Sequence, residues 1–135
     1  MKRNVLHCSV RLLLFVLMAA LALCFVSCGG NDKAPGEVVT FTLTVVGPDG
    51  TPVDHEVTSD AANLGDALLT EGLIEAEKGP YGLYINTVTG ITADFDNNGA
   101  YWSLYIGDEY AMTGISDTPI TNGAVYKLVY EVYAG

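Results

Sequence analysis

Between Val38 and Tyr133 one stretch alone, Asn63 to Gly72, reads convincingly as a helix, and that scarcity limits the fold more than any other feature. Asn63 stands where an N-cap accepts from a free backbone N–H, and Asp66 lies three residues on, near the positive helix end. Leu64, Ala67 and Leu68 form one apolar stripe. Gly72 is placed as the C′ stop, and Leu73-Ile74 return the chain to the core.

The rest alternates. Val39, Phe41, Leu43 and Val45 share one face of a strand, with Thr40, Thr42 and Thr44 on the other. "GPDG" (Gly47 to Gly50) is a turn, because Pro48 fixes φ and Gly50 permits positive φ. Val53, His55 and Val57 then alternate with Asp54 and Glu56 in a return strand. "EAEKGPYG" after the helix reads as loop, Tyr84 to Val88 as a strand, "GITADFDNNG" as a connection and Tyr101 to Ile106 as a strand. "GDEYAM" turns into a short strand, "ISDTPITNG" is a loop and Ala124 to Tyr133 a long final strand. A hairpin, one helix and then three or four strands predict an α+β domain: a β-grasp-like mixed sheet with one covering helix. An immunoglobulin-like sandwich accommodates that helix less well.

The N-terminus supplies an address. Lys2, Arg3 and Arg11 precede an apolar run from Leu12 to Val26, shorter than the roughly 20 residues of a membrane span. Phe25-Val26-Ser27-Cys28 resembles a bacterial lipobox, which implies cleavage after Ser27 and lipid on the Cys28 sulfur. Two or three acyl chains on one residue anchor durably where one is marginal. Residues 1–27 are thus expected to be a lipoprotein signal peptide, 28–37 a lipidated tether rich in Gly and Pro, and 38–135 the domain. The expected location is extracytoplasmic, with lipid at Cys28 holding the protein to a bacterial membrane. Of the three cysteines, Cys8 and Cys24 leave with the signal, so no disulfide or thiolate metal ligand is expected in the domain.

The chain carries a formal charge of −10, and loss of Lys2, Arg3 and Arg11 with the signal deepens it to −13. Phosphate binding needs clustered Lys and Arg, so nucleic acid is not an expected partner. An acidic surface keeps a tethered domain soluble and off anionic lipid.

Along this domain, "LGDALL", "YGLYI", "AYWSLYI", "YAMTGIS" and "PITNGAVYKLVYE" resemble a bacterial domain family of unassigned function. Its nearest named relatives are the C-terminal domains of transcobalamin and intrinsic factor. The likeness spans nearly all of Val38 to Tyr133, with Gly107-Asp108 standing where the family often has Asn-Gly. It implies a soluble-ligand-binding β-grasp fold. In the vertebrate carriers this domain covers one side of cobalamin and a helical barrel the other. The resemblance therefore implies a corrinoid as a candidate ligand, with an uptake transporter or partner envelope protein nearby.

Chemistry is less determined. Asp94, Asp96, Asn98 and Gly99 fit the opening of an EF-hand loop, but the twelfth place, which needs a bidentate Glu, is Tyr105. No metal is expected, and an Asx-rich turn explains "DFDNNG". In "AYWSLYI", Trp102, Leu104 and Ile106 share the face expected in the core; Tyr101, Ser103 and Tyr105 share the open one. Tyr101 and Tyr105, with Tyr84 from a neighbouring strand and Tyr110 and Met112 at a rim, form a candidate ligand-binding surface. Ordinary cross-strand packing accounts for the same tyrosines. His55 has no cysteine partner and sits among acids, so no catalytic set and no cofactor are expected. Two functions remain: a lipid-anchored capture domain for a corrinoid or similar bulky ligand, and an envelope module that binds protein or glycan.

Overall fold

Strand β1 (Val39–Val46) buries Val39, Phe41, Leu43 and Val45 and turns its threonines outward, as its alternation dictates. The computed structural model describes residues 33–135. The signal segment, Cys28 and the tether as far as residue 32 lie outside the described residues. Gly50 takes φ +76° and donates to the Gly47 carbonyl at 3.0 Å, closing the turn into β2 (Pro52–Ser59).

Helix α1 (Leu64–Thr70) begins and ends where its caps place it. The Asn63 side chain accepts from the Asp66 N–H at 2.9 Å and donates back to the Asp66 carboxylate at 2.9 Å. Leu64 and Gly65 donate to the Thr118 and Ile115 carbonyls, so the long loop before the last strand satisfies the helix's remaining first-turn donors. At the other end Gly72 adopts φ +68°, and the Leu73 N–H returns to the Leu68 carbonyl.

The segment expected to be loop is instead β3 (Ile74–Gly79), paired antiparallel with β4 (Gly82–Val88). Its polar residues misled because β3 buries only Ile74 fully and presents Glu75 and Glu77 to solvent. β5 (Ile91–Thr92) extends this into a separate three-stranded sheet, β3-β4-β5. A one-turn helix, α2 (Phe95–Asn98), follows, then β6 (Ala100–Ile106), β7 (Glu109–Tyr110) and β8 (Val125–Val132).

The main sheet has the order β2-β1-β8-β6-β7, with β1 and β8 parallel and the other pairs antiparallel. A central parallel pair between the first and last strands, with an N-terminal hairpin and a covering helix, is the β-grasp arrangement. The inner face of the main sheet, α1 and the inner side of the second sheet contribute to one core, which includes Phe41, Leu43, Leu68, Val88, Trp102, Leu104 and Leu128. Among the described residues, no further strand or helix is seen over the outer face of the main sheet, where Thr40, Thr42, Tyr101, Tyr105 and Lys127 are half-exposed.

Candidate functional site

The expected division of β6 holds. Trp102 and Leu104 are buried on the core side, and Trp102 packs edge-on against Tyr130 at 5.4 Å. Ile106, at the strand's end, is exposed. Tyr101 and Tyr105 stand on the open side, half-buried. Tyr110 on β7 pairs directly with Tyr105, ring edge to ring face at 5.5 Å.

Both phenols end on one carboxylate. Tyr101 Oη donates to Glu131 Oε2 at 2.9 Å, and Tyr105 Oη donates to Glu131 Oε1 at 3.0 Å. Four residues of strand separate the two tyrosines by about 13 Å, at about 3.3 Å per residue. Two side chains so far apart reach one carboxylate only by leaning towards each other along the sheet. They lean over Ser103, which accounts for its 2% exposure on the outer face, where Thr44 is buried as well. Two phenol rings are thereby laid along the sheet and fixed.

The electrostatics follow. Burial pushes the Glu131 carboxyl up, but the hydrogen bonds from Tyr101 and Tyr105 hold it below its ordinary value. The same bonds to Glu131 are the first cause that raises both phenols, with desolvation and the carboxylate's charge adding to it. The clasp thus favours charged glutamate and neutral tyrosines.

Beyond Tyr101 the aromatic surface continues through Phe95, 6.4 Å away, to Tyr133, another 6.4 Å on. Phe95 leads α2. Asp94 caps this turn: its Oδ1 accepts from the Asn97 N–H at 3.0 Å and its Oδ2 from the Asn97 side chain. Those bonds hold the Asp94 carboxyl below its usual range. Gly99 closes the turn at φ +69°. The Asx reading of "DFDNNG" is therefore what the chain does, and Tyr105 spends its hydroxyl on Glu131.

Tyr84 is placed elsewhere. Its strand β4 belongs to the second sheet and is not hydrogen-bonded to β6, so Tyr84 does not extend the row of Tyr101 and Tyr105 along one sheet face. It lines an open groove of about 710 Å³ together with Phe95. Met112, 93% exposed, stands past β7 and touches none of the tyrosine clasp's hydrogen bonds. Two partners escaped the sequence reading: Glu131 and Phe95. Phe95 had a signal, an aromatic between two aspartates in a connection with no apolar alternation.

Residues 61–130 match the domain of unknown function DUF4430. The chain belongs to that family. Among solved structures, a protein from Ruminococcus gnavus with a provisional metal-binding assignment is 34% identical, covering 71% of this chain and 99% of that one, with a TM-score of 0.67. Haptocorrin in complex with Cbi is 19% identical, with a TM-score of 0.57; the match covers 82% of this chain but 29% of haptocorrin, and is a likeness of fold. No curated protein matches the sequence.

In this DUF4430 chain, no three His, Cys, Asp or Glu among the described residues converge as metal ligands would. His55 lies on β2, the edge strand of the main sheet, between Asp54 and Glu56.

Proposed function

We propose that this DUF4430 protein is a non-catalytic, lipid-anchored, extracytoplasmic capture domain whose tyrosine platform takes one face of a flat, bulky ligand of the corrinoid class. The observation that carries the reading is the clasp: two phenols fixed along an uncovered sheet face by Glu131. Rings already immobilised lose little entropy on binding, which favours a preformed platform over free tyrosines. The likeness of fold to haptocorrin, seen with Cbi, supports the ligand class. The platform contacts one side only, so binding is expected to be weak, on the order of micromolar, unless a partner envelope protein or uptake transporter closes the other side.

Mass spectrometry of the mature N-terminal peptide is expected to show diacylglyceryl on Cys28; an unmodified Cys28 or a cut elsewhere would overturn the anchor.

The ligand test is titration calorimetry of the chain in detergent with cobalamin and with cobinamide. Saturable heat is expected, weakened roughly two- to tenfold by Tyr101→Ala or Tyr105→Ala, the range an aromatic contact contributes. No heat at millimolar ligand would remove the corrinoid reading. The second reading, a module for protein or glycan, would then stand on the exposed rim of Tyr110, Met112, Phe95 and Tyr133.

A further inference from the structure

The groove on the second sheet is built by a departure from regular pairing. Ala76 pairs with Ile85 and Glu75 with Thr87, so Asn86 is an extra residue in β4. Regular alternation sends neighbouring side chains to opposite faces. The bulge instead lets both Asn86 and Thr87 line the groove. Opposite them on β3, Glu75 and Glu77 share that face, Glu77 directly across from Tyr84. Thr87 and Thr92, paired across β4 and β5, join hydroxyls at 2.9 Å and extend the floor. Asp94, Phe95 and Asp96 form the far wall.

Charge and aromatic character meet here with no lysine among the lining residues, although Asp94 is committed to Asn97. Four carboxylates line the groove, and the three lysines of the described residues are elsewhere: Lys33 on the Ala61 carbonyl, Lys127 on Asp108, and Lys78 in a separate hollow beside Leu83. The acids do not converge on a point that would hold a metal ion. They are spread around two exposed rings, Tyr84 at 46% and Phe95 at 51%. Ring faces attract organic cations through their quadrupole, and dispersed carboxylates suit a charge borne on a body larger than an ion. The groove's size falls within the roughly 300–1,000 Å³ of small-ligand sites. We infer that this groove is a second binding site, on the second sheet and meeting the platform's aromatic surface at Phe95, for an ammonium or guanidinium group carried on an apolar body.

The test titrates the chain in detergent at neutral pH, reading the ring resonances of Tyr84 and Phe95 by NMR. The probes are benzylamine (a cation), benzyl alcohol (its neutral counterpart) and a terminally blocked Lys-Phe dipeptide. Benzylamine is expected to shift both rings saturably, and benzyl alcohol to bind at least about tenfold more weakly. Glu75→Gln with Glu77→Gln, both on the solvent side of an outer strand, is expected to weaken the amine by a similar factor. Tyr105→Ala, whose ring packs on Tyr110 and forms no ring pair with Phe95, is expected to leave it unchanged, which distinguishes this site from the platform. Tighter binding by benzylamine than by the dipeptide assigns a free amine; the reverse assigns a basic side chain. Equal binding of amine and alcohol, shifts that never saturate, or displacement of the amine by equimolar calcium would overturn the inference.

Discussion

Phe41→Ala is expected to destabilise the domain by about 3–5 kcal/mol, the cost of removing a fully buried aromatic and leaving its cavity. Phe41 is 1% exposed and meets Tyr126 edge to face at 5.2 Å. Tyr126 is itself a keystone: its hydroxyl donates to the Pro119 carbonyl at 2.8 Å and accepts from the Thr121 N–H at 3.1 Å. The loop it holds presents the Thr118 and Ile115 carbonyls to the start of α1. Removing Phe41 therefore loosens the inner sheet face, the loop and the helix start together. Domains of this size hold about 5–15 kcal/mol in all, and each kcal/mol moves Tm by about 4–8 °C. A fall in Tm of about 12 °C or more follows. Thr42→Ala, one residue along on the open face, is expected to stay within about 0.5 kcal/mol. Denaturant unfolding of the pair checks both; comparable losses would mean that the sheet is covered on both faces.

Elements whose cause is local were legible in the sequence. The alternation of β1, the Gly-Pro-Asp-Gly turn, the Asn63 cap and the Gly72 stop each act within a few residues, and each stands where the pattern put it. The second sheet was not legible, because β3 buries one residue fully and is otherwise polar, and its partner β4 supplies the reason it is a strand. Nor does local pattern announce that β8 lies parallel to β1 across some eighty residues of chain. The site divides the same way. Period two put Tyr101 and Tyr105 on the open face and Trp102 in the core, as found. Sharing of Glu131 by both phenols depends on the β6–β8 register, which aligns Tyr101 with Glu131 thirty residues later. Tyr84 was misplaced for the converse reason: period two gives its face but not which sheet its strand joins.

Glu131→Leu is expected to release both tyrosines at once, since its carboxylate is the acceptor that each phenol uses. The leaning geometry then has no restraint, the rings regain rotamer freedom and Ser103 is uncovered. Affinity for a flat ligand on this face should fall by about tenfold or more, at least as much as removal of one ring. Glu131→Gln keeps one carbonyl acceptor and should fall between Leu and the parent. The pH signature makes the mechanism separable from simple damage. Glu131's carboxyl lies below its unfolded value, so its contribution to stability is present above the ordinary glutamate range and is lost as pH falls through the folded value. Tyr101 and Tyr105 lie above theirs, so their contribution is complete below the ordinary tyrosine range and is lost as pH rises through the folded values. The clasp therefore holds between those two limits. In Glu131→Leu, two tyrosines should ionise closer to the ordinary value of about 10 than they do in the parent. Tyrosinate absorbance during alkaline titration reads this without any ligand. Unchanged titration alongside lost affinity would show that Glu131 serves the ligand directly, whereas restored titration alongside unchanged affinity would show that the tyrosine platform is not where the ligand binds.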